Sequence, residues 1–201
     1  MTVRCQSLAD HEIAARFNTH AGRVYHAHLL GGADEPLYEP ARPGAPALIH
    51  YRQDFAQSAL HELAHWCIAG AARRALPDYG YWYQPPPRDP AMRARFFAVE
   101  SRVQGLERLL AHVCGVRFHV SLDDPGSDPQ DFEARVTAST RAWLMRELPA
   151  RTQAVLHALE PDWRQRLDWL EDELEDELED ELVCGLVDEQ GDGGLNAEPP
   201  R

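Results

Sequence analysis

Apolar residues recur at three- and four-residue spacing over several long stretches of this chain, so the pattern predicts a mostly helical protein. Residues 9 to 30, rich in Ala, His and Leu, read as a first helix closed by Gly31 and Gly32. The stretch GGADEPLYEPARPGAP, residues 31 to 46, is punctuated by four prolines and reads as a loop; the short run 47 to 51 beyond it has strand-like composition. From 55 to 75, Leu60, Ala64, Cys67, Ile68, Ala71 and Ala72 fall at helical spacing, and Pro77 is a stop. YGYWYQPPP, residues 79 to 87, cannot be a regular helix, because three consecutive prolines remove donors and force extended backbone. Asp89 and Pro90 then supply an N-cap and a helix-opening proline. Met92, Phe96, Val99, Val103, Leu106, Leu110 and Val113 keep one apolar stripe through the helix that follows, which Gly115 closes. Residues 117 to 122 read as a strand, 123 to 130 as a polar loop, and 131 to 147 and 150 to 170 as two more helices split by Pro149. The expected architecture is a single α+β domain, mostly helical with a small β component, over residues 1–170.

Charge separates the rest. Residues 1 to 170 carry 19 Arg against 20 Asp and Glu, a net of −1, whereas residues 171 to 201 carry one Arg against 13 acids, a net of −12. The tail opens with EDEL three times over, placing like charges on adjacent turns, and reads as a low-complexity extension, disordered or partly helical. A chain so charged has no global field to attract DNA or an anionic lipid surface, so neither nucleic acid nor membrane is an expected partner.

The four cysteines stand 62, 47 and 70 residues apart, which excludes CxxC zinc sites and a dense disulfide framework. No apolar run reaches the roughly 20 residues that span a bilayer. The N-terminus, MTVRCQSLADHEIAARF, lacks the uninterrupted apolar core of a signal peptide, so the expected compartment is the cytoplasm.

Chemistry concentrates at His61-Glu62-Leu63-Ala64-His65, an HExxH motif inside a helical pattern. Histidines at i and i+4 differ by about 40° around a helix, so both imidazoles reach one metal ion from a single rigid element. A third ligand is then required. Glu100 is the strongest candidate, because it lies within about 60° of Phe96 and Val103 on the stripe and points inward from a second helix. A carboxylate facing a core needs a partner, and a dication is one. His112 and His119 are the rivals. Two histidines and a carboxylate leave the reaction open: with zinc, Glu62 is the general base of a peptidase; with Fe(II), open positions remain for O2 chemistry. A third alternative is a catalytically silent, metal-stabilised binding module.

The run HELAHWCIAGAARRALPDYGYWY, residues 61 to 83, followed by Arg88 and Asp89 and by FFAVE at 96 to 100, closely resembles the elongation factor P hydroxylase family. The resemblance extends through DEPLY at 34 to 38 and RFHVSLD at 117 to 123, and more weakly to LPAR at 148 to 151, so that it covers about residues 25 to 163. It implies a non-haem metal hydroxylase acting in bacteria on translation elongation factor P, at C5 of a lysine already extended by a β-lysyl group. The family's metal ligands map onto His61, His65 and Glu100. An unactivated aliphatic C–H bond is beyond any side-chain base, so a redox metal, here expected to be one Fe(II), must activate O2 as co-substrate. The ligand set does not say whether 2-oxoglutarate takes part. On this reading Glu62 is a proton-handling catalytic residue, and Tyr79, Tyr81, Trp82 and Tyr83 wall the cavity for a long cationic side chain. Asp34, Glu35 and Asp78 are candidates to neutralise its ammonium groups. The chain departs from the family at Gln84 and Pro85 to Pro87, where relatives have a Cys and a Gly-containing turn, and in its acidic tail.

Overall fold

A computed structural model describes residues 7–80, 89–122 and 128–175. Among the described residues, α-helices and one three-stranded sheet follow in the order α1 (Asp10–Thr19), α2 (Ala21–Tyr25), β1 (Ala27–Ala33), β2 (Leu37–Glu39), β3 (Ala47–Arg52), α3 (Ala56–Ile68), α4 (Ala71–Arg74), a 3-10 turn (Pro77–Gly80), α5 (Pro90–Cys114), α6 (Pro129–Leu144) and α7 (Ala150–Leu159). A last helical segment occupies 163–175. The α+β, mostly helical class is the one the pattern predicts.

The long expected helix over 9–30 is in fact two short helices and a strand. His26 takes a left-handed conformation (φ 53°) and ends α2, so the apolar Leu29 and Leu30 that looked helical lie in β1. The Asn18 side chain bonds Leu29 in both senses, donating to its carbonyl and accepting from its amide, and so stands in for a strand neighbour. β1 pairs parallel with the central β3, and β2 pairs antiparallel on the other side, giving the order β1-β3-β2. Ala47, Ile49 and Tyr51 alternate inward from β3 onto α3, as period-two geometry requires. Gly31 is required in β1: a Cβ there would lie 2.4 Å from the Tyr51 hydroxyl.

The expected helix over 55–75 breaks at Ala69 and Gly70 into α3 and α4. Arg151, at the start of α7, donates to the carbonyls of Cys67 and Ala69 at 2.8 and 2.7 Å, and Arg74 also donates to Ala69, so two guanidinium groups satisfy the C-terminal end of α3. α5 matches its reading closely: the Asp89 carboxylate accepts from Met92 N–H, Pro90 opens the helix, and Gly115 closes it in the left-handed region. Val103, Leu106, Leu110 and Val113 of its stripe are buried in the core.

Residues 117–122 form no strand. Their backbone is held by side chains instead: Gln104 donates to the Ser121 carbonyl and accepts from the Ser121 amide, and Gln57 donates to the His119 carbonyl. The expected helix over 150–170 is broken around Glu160 and Pro161, and its second part runs across the expected domain boundary at 170. Leu170 and Leu174 are buried, and Arg141 donates to the Leu174 carbonyl at 3.0 Å, so the first EDEL repeat belongs to the folded body. The rest of the tail lies outside the described residues.

α5 crosses α6 closely at Gly105. A Cβ at that position would stand 2.8 Å from Ser139 Cβ and 2.9 Å from Thr140 N, closer than such atoms approach. Gly105→Ala is therefore expected to destabilise the fold. Overpacking of about 1–3 kcal/mol outweighs the roughly 1 kcal/mol that Ala gains over Gly in a helix. Urea unfolding checks this, and a more stable Ala variant would show that the two helices separate without cost.

Candidate metal centre

α3 turns one face toward α5, and the HExxH motif lies on it. The order of contacts, His65 with Glu100 and His61 with both Glu100 and Glu107, shows that the two helices pass in opposite senses. His61 Nε2 and His65 Nε2 are 3.2 Å apart. Glu100 Oε1 lies 3.5 Å from His65 Nε2, and Oε2 lies 3.8 Å from His61 Nε2. Among the described residues these three form the group whose ligand atoms converge, all within 4.8 Å of one another. Ligands bound to one ion at about 2.0–2.2 Å stand about 3–3.5 Å from each other; two of the three separations lie in that range and the third, 3.8 Å, is a few tenths longer, a spacing a single transition-metal ion could draw together.

The electrostatics call for a cation. Burial opposes a charge on His61, yet the Glu107 carboxylate beside it, with Glu62 and Glu100, prevails and raises its pKa to about 10. His65 is pushed well below the ordinary histidine range by burial and by the neighbouring His61 charge. Glu62 is raised to about 7, chiefly by burial, against the attraction of His61. Three glutamates thus face two imidazoles in a desolvated space, and without a metal a proton on His61 serves as the counter-charge.

Glu62 is buried at 8% exposure and stands outside the converging group. Tyr79 is buried, with its ring stacked on Tyr38 at 4.1 Å and near-parallel to that of His65, whose centroid is 6.2 Å away. It is carried there by a strained turn: Asp78 and Tyr79 both adopt positive φ, 45° and 56°. Neither is glycine, so the conformation costs about 1–2 kcal/mol per residue. The Asp78 carboxylate, accepting from Tyr38 N–H at 2.8 Å, helps to hold it. Tyr81, Trp82 and Tyr83 lie outside the described residues.

The rival ligands are elsewhere. His112, 3.9 Å from Glu173, and His119 line a separate cavity of about 300 Å³ with Arg108 and Glu133. The residue that motif reading missed is Glu107, whose carboxylate accepts from His61 Nδ1 at 2.7 Å. Its signal was present in the spacing: seven residues past Glu100, it returns to nearly the same face of the helix.

The fold and this site define a class: a small α+β protein in which an HExxH helix and a glutamate of the facing helix offer one metal ion three ligands. More particularly, the chain belongs to the elongation factor P hydroxylase family, whose model matches residues 16–172. It is similar to the elongation factor P lysine hydroxylase of Haemophilus influenzae, with 38% identity over 152 residues, 74% of this chain and 85% of that protein. Membership makes it one of a family of hydroxylating enzymes. No described helix is long and apolar enough to cross a membrane.

Proposed function

We propose that this protein hydroxylates the β-lysylated lysine of elongation factor P at C5 of the lysine side chain, using a non-haem Fe(II) centre. Two observations support the reading: membership of the family, and the convergence of His61, His65 and Glu100 on one point. The convergence carries the metal assignment. Iron, when bound, supplies the O2 activation that an unactivated C–H bond requires. One oxygen atom enters the C–H bond, and the other leaves as water with two protons and two electrons from an external reductant.

The chain's own residues do the rest. On metal binding His61 gives up its Nε2 proton, so that His61 and His65 both present neutral ring nitrogens from one rigid helix, and Glu100 adds a negative oxygen that favours a divalent ion. The Tyr79 ring lies parallel to the His65 imidazole with centroids 6.2 Å apart, so it forms part of the apolar surroundings of the site. Glu62, held near neutrality by burial, takes up or releases a proton beside the site. Tyr81, Trp82 and Tyr83 are proposed to line the path of the long substrate side chain. Because the substrate is a translation factor, the proposed compartment is the cytoplasm.

The test separates hydroxylation from hydrolysis. Protein loaded with Fe²⁺ and supplied with reductant and air is expected to add oxygen to β-lysylated elongation factor P, and zinc-loaded protein is not. Glu62→Gln is expected to slow this addition about 10- to 100-fold without abolishing it, the usual effect of a group acting beside a metal site. Zinc-dependent peptide cleavage, lost in Glu62→Gln, would overturn the proposal in favour of a peptidase.

A further inference from the structure

We infer that Glu107 is a positioning residue of the metal centre: its buried carboxylate locks the His61 ring so that Nε2 faces the site, and through that ring it sets the metal affinity. The inference rests on the metal-site reading above and extends it to a residue outside the ligand set.

Glu107 Oε2 accepts from His61 Nδ1 at 2.7 Å, the short distance of a charge-assisted bond. With the proton held on Nδ1, the neutral ring offers its Nε2 lone pair inward; the opposite tautomer would present an N–H to the site instead. The bond also fixes the ring plane, so Nε2 is aimed before any metal arrives.

Stability alone does not account for this carboxylate. Glu107 is 1% exposed, and its second oxygen, Oε1, is buried and meets no hydrogen-bond donor among the described residues. Desolvating a carboxylate costs several kcal/mol, and an apolar side chain of similar volume commonly packs with equal or greater stability. The helix geometry adds a second argument. Glu100 and Glu107 are about 20° apart around α5 and about 10 Å apart along it, so one face of one helix carries both a ligand and the support of another ligand. The two carboxylates also match the charge of a divalent ion.

The experiment reads metal binding rather than turnover. Metal-free wild type, Glu107→Gln and Glu107→Asp are titrated with Co²⁺, whose visible bands report ligand geometry, and with Fe²⁺ under anaerobic conditions. Wild type is expected to bind one equivalent. Glu107→Gln keeps the shape and loses the charge; it is expected to bind about 10- to 100-fold more weakly, with shifted cobalt bands, and to melt below wild type without metal because the buried pair with His61 loses one partner. Glu107→Asp withdraws the carboxylate by one methylene and is expected to bind with intermediate affinity. It carries the same test should the Gln variant fold poorly. Wild-type affinity and unshifted bands in either folded variant would overturn the inference and leave the metal site standing. Failure of the wild type to bind either ion would overturn the metal-site reading itself.

Discussion

Replacing His61 with Ala is expected to abolish both metal binding and hydroxylation while leaving a folded chain. Two losses act together. The site retains only His65 and Glu100, too few protein ligands to hold a divalent ion against water. Glu107, which now meets His61 Nδ1 at 2.7 Å, is left as a buried carboxylate with its principal partner removed. An uncompensated buried charge costs about 3–5 kcal/mol when one partner of a pair is deleted, so the variant should also melt below wild type. Glu107→Gln removes that buried charge while keeping the side chain's shape, so the double variant His61→Ala, Glu107→Gln is expected to recover stability without recovering metal or activity. The recovery separates the structural role of the pair from its chemical one. Circular dichroism, metal analysis and product mass on the two variants check the three statements, and metal at wild-type occupancy in His61→Ala would contradict the assignment.

The second large effect is expected at Trp66, the residue after the second motif histidine. Its ring is 2% exposed and meets Phe17 edge-on at 5.4 Å and Tyr25 at 5.8 Å, with the Arg151 guanidinium 4.8 Å above it. The same Arg151 satisfies the carbonyl end of α3, so Trp66 and Arg151 together anchor the helix that carries both histidines. Trp66→Ala is expected to cost about 3–5 kcal/mol, from lost transfer energy and the cavity left behind. A domain of this size holds about 5–15 kcal/mol in total, and the melting temperature should fall by about 6–20 °C. Metal affinity should fall as well, because the helix loses the contacts that set its rotation. Thermal melting of the metal-free protein reads the first effect and cobalt titration the second. A shift of under about 0.5 kcal/mol would show that the helix is held elsewhere.

Which parts of this arrangement the sequence announces follows from the range of the interactions involved. Local signals were sufficient for α5, since Asp89, Pro90 and Gly115 act within a turn of the ends they define. The convergence of the HExxH pair and Glu100 was legible for the same reason: helical periodicity fixes their faces, and a metal site needs a third ligand beside two histidines. Residues 27–33 misled because Ala, His and Leu tolerate either backbone, and what makes them a strand is pairing with β3 some 20 residues away in sequence. Residues 117–122 misled in the opposite sense, having strand-like composition while their backbone partners are the side chains of Gln57 and Gln104. Leu174 was hidden by its setting. A charge block predicts a solvated extension, but one leucine per four residues keeps an apolar stripe, and the first turn of it docks. Glu107 shares the face of Glu100 by its seven-residue spacing, but spacing does not name the partner of a buried glutamate; the neighbouring helix supplies the histidine it serves.

The measurement that tests the account most directly is peptide-level mass analysis of β-lysylated elongation factor P after incubation with the Fe²⁺-loaded protein, reductant and air. The account predicts the gain of one oxygen atom on the modified lysine, dependent on His61, on Glu100 and on iron. No oxygen gained, or oxygen gained equally with the Glu100→Ala protein, would contradict it.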